Sequence, residues 1–240
     1  MIRLLLAGIE VLLFLIITIP VVLILFILRL INRNVADKIA RAFIKFIFTV
    51  IRLTLCTRIH VEGRENIPED TAVLYIANHL SIFDIVMTYP YFKGTTGYIA
   101  KKELKKIPLL NFWMELIECE FLDRSSLKAG FKMITNSIEK IKNGISIFIF
   151  PEGTRSKTGE MAEFKGGSFK IATKAKCPIV PVSIQNTQHI LRTHMPFIKT
   201  TDVYITFGKP IDTNTLTKAE EKALDVTVRD MILNLRKNEQ

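Results

Sequence analysis

Six short runs rich in Val, Ile and aromatic residues recur between positions 58 and 208: "RIHVEG", "TAVLYIAN", "TGYIA", "ISIFIF", "PIVPVSI" and "DVYITFG". They show little alternation of apolar with polar residues, which is the pattern of strands covered on both faces. Between them the spacing predicts helices over Ser81 to Thr88, Pro108 to Glu115, Ser125 to Lys142 and Gly167 to Lys176, and a last one over Lys218 to Arg236. Ser125 or Ser126 can cap the long middle helix, and Gly144 can end it. This alternation calls for an α/β domain, with a mixed, mostly parallel central sheet flanked by helices on both sides. No repeat, low-complexity tract or long linker divides it, so one globular unit is expected over residues 59–240.

The first 58 residues have a different character. From Leu4 to Leu28 the chain is apolar apart from Glu10, with Pro20 interrupting it. A continuous helix of that length would extend ~37 Å against a bilayer core of ~30 Å. A signal peptide would have an apolar region of only ~7 to 15 residues and a small-residue cleavage site. No such site precedes Arg29. An acid in hydrocarbon is costly and proline removes a helix hydrogen bond, so a bent, half-inserted helix competes with a straight span.

The segment that follows carries Asn34, Lys38, Arg41, Lys45 and Arg52. At 100° per residue these fall within roughly 60° of one another, a polar and basic stripe on an otherwise apolar helix. The stripe suits a helix lying at the phosphate level of a membrane; the alternative is a helix packed on the globular body. Arg29, Arg33 and Lys38 follow the apolar run where only Arg3 precedes it, which places the body on the cytoplasmic side of a membrane.

Charge and hydropathy agree with that reading. The chain has a net charge of +10 and a positive mean hydropathy of +0.28. Residues 1–60 carry eight basic against two acidic side chains, so most of the excess sits beside the apolar sequence. That distribution fits an anionic membrane surface better than a nucleic-acid groove, and no nucleic-acid-binding signature is present. Cys56, Cys119 and Cys177 are odd in number and widely spaced, which suggests a reducing compartment without a disulfide framework.

In open α/β sheets ligands gather at the carboxyl ends of strands. "HLSIFD" follows the second run and "PEGTRS" follows the fourth. If a helix begins near Leu80 or Ser81, Asp84 sits one turn in and leans back toward His79. The carboxylate can then hold one imidazole nitrogen and leave the other to accept a proton. The alternative is that Asn78, His79 and Ser81 end a strand and cap a helix, with Asp84 complementing the helix dipole. A Ser81 nucleophile lacks the G-x-S-x-G elbow.

Glu152, Gly153, Thr154 and Arg155 combine a flexible backbone, a hydroxyl and a guanidinium, parts that suit a phosphate. Arg124 and Lys101 also follow apolar runs and can converge there; the alternative for Arg155, Arg124 and Lys101 alike is an ordinary solvated charge. His60, His79, His189 and His194 form no metal-binding pattern, and no nucleotide-binding glycine motif is present, so neither metal nor cofactor is expected.

Taken together, these clusters resemble the glycerolipid acyltransferases. "NHLSIFD" is similar to the family's first motif, N-H-x-x-x-x-D, "FLDRSS" to its second, "FPEGTRS" to its third and "CPIVPVSI" to its fourth, in the family's order. The flanking "AKKELKKIP" and "FKGGSFKIA" resemble it too, and the combination looks most like the bacterial 1-acylglycerol-3-phosphate branch. The resemblance implies transfer of an acyl group from an acyl-ACP or acyl-CoA thioester to the free hydroxyl of lysophosphatidic acid, in contact with membrane lipids. It makes His79 the base and Asp84 its orienter. Arg124, Glu152, Gly153, Thr154, Arg155 and Lys101 would hold the acceptor's phosphate, and Pro181 would help shape the site.

Two positions depart from the family pattern: Glu118 and Asn111 stand where glycine is common. "LLNFWMELIECEFL" reads as ordinary core, with an acyl groove as the alternative. The competing activities are acylation of glycerol 3-phosphate or of another lysolipid, a Ser81-dependent membrane lipid hydrolase, and a noncatalytic lipid-binding protein.

Overall fold

The computed structural model describes residues 2–123, 126–192 and 200–236. The chain begins with α1 (Ile2–Ile17), α2 (Ile19–Ile31) and α3 (Arg33–Thr54). The sheet strands are β1 (Thr57–Glu62), β2 (Leu74–Ala77), β3 (Thr96–Lys101), β4 (Glu120–Leu122), β5 (Ser146–Ile149), β6 (Ile179–Gln185) and β7 (Thr201–Phe207). Between and after them lie α4 (Phe83–Thr88), α5 (Leu110–Leu116), α6 (Leu127–Lys142), α7 (Lys170–Ala175), α8 (His189–Arg192), α9 (Lys218–Lys222) and α10 (Leu224–Asn234).

The strands form one sheet in the order β1-β7-β6-β2-β5-β3-β4. Only β6 and β7 pair antiparallel; every other pair is parallel. The expected mixed, mostly parallel sheet is therefore present. The short apolar run "EFL", expected to end ahead of Arg124, is the edge strand β4, three residues long and paired with β3.

Alternate residues of each strand feed opposite cores, as the period of two requires. Tyr75, Phe148, Val180 and Val182 join a cluster that includes residues of α1, α2 and α3. Leu74, Ile76, Ile147 and Ile149 join a second cluster with residues of α6, α7 and α10. The helices thus cover both faces, and the N-terminal helices share a core with one of them.

The apolar N-terminal run is not one straight helix. It bends by 55° between α1 and α2. Thr18 turns its hydroxyl back onto the Phe14 carbonyl at 2.6 Å, and Pro20 lies in the first turn of α2, where a missing N–H is tolerated. Glu10 is half-buried against α3: Oε1 accepts a hydrogen bond from the Thr54 hydroxyl at 2.5 Å, at the far end of that helix. In α3, Ala36, Ala40, Ile44, Ile47 and Ile51 are buried while Lys38 is exposed. Its apolar face packs on the body.

The expected last helix over Lys218 to Arg236 is broken at Ala223. A reciprocal Thr217–Glu220 cap starts the exposed α9. A change of direction then lets Leu224, Val228 and Ile232 of α10 face the core at helical spacing.

Candidate functional site

β2, β5, β3 and β4 are parallel neighbours, so their carboxyl ends emerge along one edge. "HLSIFD" follows β2, "PEGTRS" follows β5 and Lys101 ends β3. In register, Ile76 of β2 stands beside Ile149 of β5, which puts the two polar loops side by side.

Asn78 locks the first loop to β6, donating from Nδ2 to the Ile184 carbonyl at 2.8 Å and accepting from the Ile184 N–H at 2.9 Å. The next residue, His79, is half-buried. Its Nδ1 lies 2.7 Å from Asp84 Oδ2. That same oxygen accepts from the N–H groups of Leu80 (2.8 Å) and Ser81 (3.0 Å), so Nδ1 is the donor and, in the neutral ring, Nε2 carries the lone pair. Asp84 is fully buried, and its other oxygen accepts from the Thr187 hydroxyl.

The imidazole is also held by its face. Phe150, just after β5, stacks on it with ring centroids 4.0 Å apart and an angle of 15°. Behind Asp84, the Thr88 hydroxyl donates to the Asp84 carbonyl at 2.6 Å and lies 2.6 Å from the Tyr98 hydroxyl, which must then be the donor to Thr88. Ser81 is buried, and its oxygen accepts from the Phe83 N–H at 3.3 Å, a turn contact at the start of α4.

The second loop is tied to the first through His79's own backbone. The His79 N–H donates to Glu152 Oε1 at 2.7 Å, and the Ser156 N–H donates to the His79 carbonyl at 2.8 Å. Glu152 Oε2 accepts from the Ala162 N–H at 2.9 Å. Burial pushes the Glu152 carboxyl above the ordinary carboxylate range, and these two N–H groups pull it partly back. Its two oxygens thus bracket three chain segments. Gly153 has the left-handed φ of +73°, which allows the sharp turn after β5.

His79, Lys101, Gly153, Thr154 and Arg155 all line one cavity of about 1070 Å³. Lys101, Thr154 and Arg155 are exposed at the site. Glu152 is buried beneath the loop, and Arg124 lies outside the described residues. Most of the cavity wall is apolar, drawn from both the N-terminal helices (Phe14, Ile47, Phe48) and the body (Trp113, Met114, Leu122). The segment "LLNFWMELIECEFL", read from sequence as core, contributes several wall residues. No group of His, Cys, Asp and Glu among the described residues is arranged to hold a metal ion.

Sequence reasoning missed Thr187 and Phe150 as supports of the pair. Both follow strands at their carboxyl ends, the region already given priority, but neither residue type carries a chemical signature alone.

Comparison with known proteins accords with this architecture. The acyltransferase family model matches residues 58–185. The chain is 35% identical over 193 residues to the 1-acyl-sn-glycerol-3-phosphate acyltransferase of Saccharomyces cerevisiae, covering 79% of this chain and 63% of that one. It is 32% identical over 176 residues to the protein of the same name from Borreliella burgdorferi, covering 73% and 70%. The chain thus spans less than two thirds of the yeast relative and just over two thirds of the bacterial one.

The crystal structure of the 1-acyl-sn-glycerophosphate acyltransferase from Thermotoga maritima superposes with a TM-score of 0.80 at 30% identity, covering 99% of both chains. With a family model covering more than half its length and a solved relative matching it end to end, the chain belongs to the acyltransferase family.

Proposed function

We propose that this chain is a 1-acyl-sn-glycerol-3-phosphate acyltransferase that makes phosphatidic acid from lysophosphatidic acid and a fatty acyl thioester. The observation that carries it is one cavity lined by three things: an oriented imidazole, cationic groups, and a long apolar wall. The names of the relatives supply the acceptor, and the product is that acceptor with its free hydroxyl acylated.

In this reading His79 Nε2 takes the proton from the acceptor's hydroxyl as that oxygen attacks the thioester carbonyl. Asp84 stabilises the imidazolium that forms. When the tetrahedral intermediate collapses the C–S bond breaks, and the imidazolium returns the proton to the departing thiolate. The products are the new ester and the free thiol of acyl carrier protein or coenzyme A. No protein nucleophile is needed, because the thioester already carries a good leaving group.

Arg155, Lys101 and the Gly153–Thr154 turn receive the acceptor's phosphate, with Arg124 assigned there by motif. Glu152 serves this group indirectly: its carboxylate is engaged by backbone N–H groups and holds the loop in place. The apolar wall takes acyl chain.

The proposed membrane attachment is supported by α1 and α2. Among the described residues no single helix is long and apolar enough to cross a membrane, though the bent pair together is, by length and composition only. Alone, α1 and α2 extend about 24 Å and 20 Å, short of a ~30 Å hydrocarbon core. Leu12, Leu13, Ile16, Ile17, Leu23, Ile24 and Ile27 are exposed. We therefore place the pair dipping into the cytoplasmic leaflet of the inner membrane, with the basic residues of α3 at phosphate level.

The test is mass spectrometry of products from the purified chain given mixed thioesters and a panel of acceptors. Phosphatidic acid formed from lysophosphatidic acid is expected. Free fatty acid as the main product, or acylation of glycerol 3-phosphate instead, would overturn the assignment.

A further inference from the structure

Glu118 combines two costs in one residue. Its backbone is left-handed, with φ of +64°, a conformation that disfavours any side chain beyond glycine. Its carboxylate is also buried, with only 4% of the residue exposed. Glycine would remove both costs, so the carboxylate itself must supply something.

What it supplies is a link between separate parts of the chain. Glu118 lies just past the end of α5. Oε1 receives Arg33 of α3 at 2.6 Å and also Arg29 of α2. Oε2 lies 3.5 Å from Lys140 of α6, whose ammonium also donates to the Glu118 carbonyl at 2.9 Å. Buried Asp37 takes the other sides of Arg29 (3.3 Å) and Arg33 (3.6 Å), and Glu120 lies 3.3 Å from Lys140. The described network balances three cations against three carboxylates. Buried ion pairs add little net stability but hold a geometry, because breaking one strands a charge.

The same stretch of chain holds the N-terminal helices at a second point. Trp113 of α5 donates from Nε1 to the Thr18 hydroxyl at the α1–α2 bend, at 3.0 Å. Beneath Glu118, Gly97 of β3 approaches so closely that a Cβ there would stand 2.0 Å from the Glu118 carbonyl oxygen. Ile117 and Cys119, on either side of Glu118, line the apolar cavity together with Phe14 of α1 and Ile47 and Phe48 of α3. The cavity is a gap between two bodies, and Glu118 joins them.

We infer that Glu118 is a positioning residue for acyl-chain selection. By fixing the α2–α3 junction against α5 and α6, it fixes the distance between the two cavity walls, and so the chain length that fills the gap. This rests on the acyl-transfer reading given above. The reacting groups themselves are held from β2, β5 and β6, outside this network.

The experiment compares kcat/KM over a series of thioesters of increasing chain length, for the wild type and for Glu118→Gly and Glu118→Asp. Glycine suits the backbone angle, which offsets part of the cost of leaving Arg29, Arg33 and Lys140 without this carboxylate, and a melting curve checks that each variant is folded. Glu118→Gly is expected to flatten the preference between the best donor and the next longer one by about tenfold, the range typical of coupling networks. Turnover with short donors should change little, and Glu118→Asp should recover part of the preference. An unchanged preference in Glu118→Gly, or an equal loss with donors of every length, overturns the inference. A wild-type chain that transfers no acyl group from any donor overturns the functional reading as well.

Discussion

The Thr187 hydroxyl donates to Asp84 across a separation of 103 residues, on the carboxylate oxygen that the His79 imidazole does not use. Thr187 is itself completely buried, two residues past β6. Thr187→Val leaves that oxygen without a partner and should cost about 1–3 kcal/mol of stability. Without that restraint the imidazole is less well oriented, so kcat should fall severalfold and the pH–rate profile should shift. Thr187→Ser should restore both. Thermal unfolding beside a pH–rate series checks it; an unchanged profile in Thr187→Val would assign the hydroxyl to packing alone.

Removing the base gives a larger effect. His79→Ala should lower kcat by ~10²- to 10⁴-fold, the usual contribution of a positioned base. In Asp84→Asn, Oδ1 can still accept from His79 and the backbone while Nδ2 donates to Thr187, so the fold should survive as kcat drops. Ser81→Ala should stay near wild-type activity, since Ser81 is a buried turn residue. Turnover and circular dichroism on all three variants test the set, and loss of activity in Ser81→Ala would revive a serine mechanism.

Arg155 is exposed at the cavity, apart from the hydrogen bonds that hold the base. Arg155→Ala should raise the KM for lysophosphatidic acid about tenfold or more, the loss expected of a charge-assisted contact. The KM for the thioester should move much less. Initial rates with each substrate varied in turn decide this, and equal effects on both would remove Arg155 from the acceptor's phosphate.

Two thiols set an alkaline limit on the fold. Burial pushes Cys119 up to about 11 and Cys177 up to about 12, from an ordinary 9.0. A group whose folded value is raised stabilises the fold fully below its unfolded value and loses that contribution as pH rises toward the folded one. Stability should therefore decline as pH climbs from about 9 toward 11 and 12. Chemical denaturation at increasing pH should show this decline, less steeply in Cys119→Ala/Cys177→Ala. An identical slope would exclude the thiols as its source.

The expected fold came through because its signal is local: buried β-rich runs alternating with helical spacing predict a parallel sheet. The pairing of His79 with Asp84 was likewise visible, since both lie within one turn of a helix start. What escaped depended on long-range contact. Thr187, Phe150 and the bracket at Glu152 reach their positions only through strand neighbours that sequence order conceals, with β6 beside β2 and β5 on the other side. The bend at Thr18 was half visible, since Pro20 marked a weak point while the Trp113 partner lay 95 residues away.

The parallel order of β2, β5, β3 and β4 divides the molecule's obligations between two rims. Every reactive loop described here leaves from the carboxyl rim, whereas Gly94 and Gly144, with left-handed φ of +72° and +80°, turn the chain into β3 and β5 at the amino rim. Strands of four to six residues separate these rims by about 13–20 Å. Substitutions at the amino rim answer only to whether the chain closes its turns and folds. Those at the carboxyl rim answer to the chemistry as well, so the two rims of one sheet evolve under different constraints.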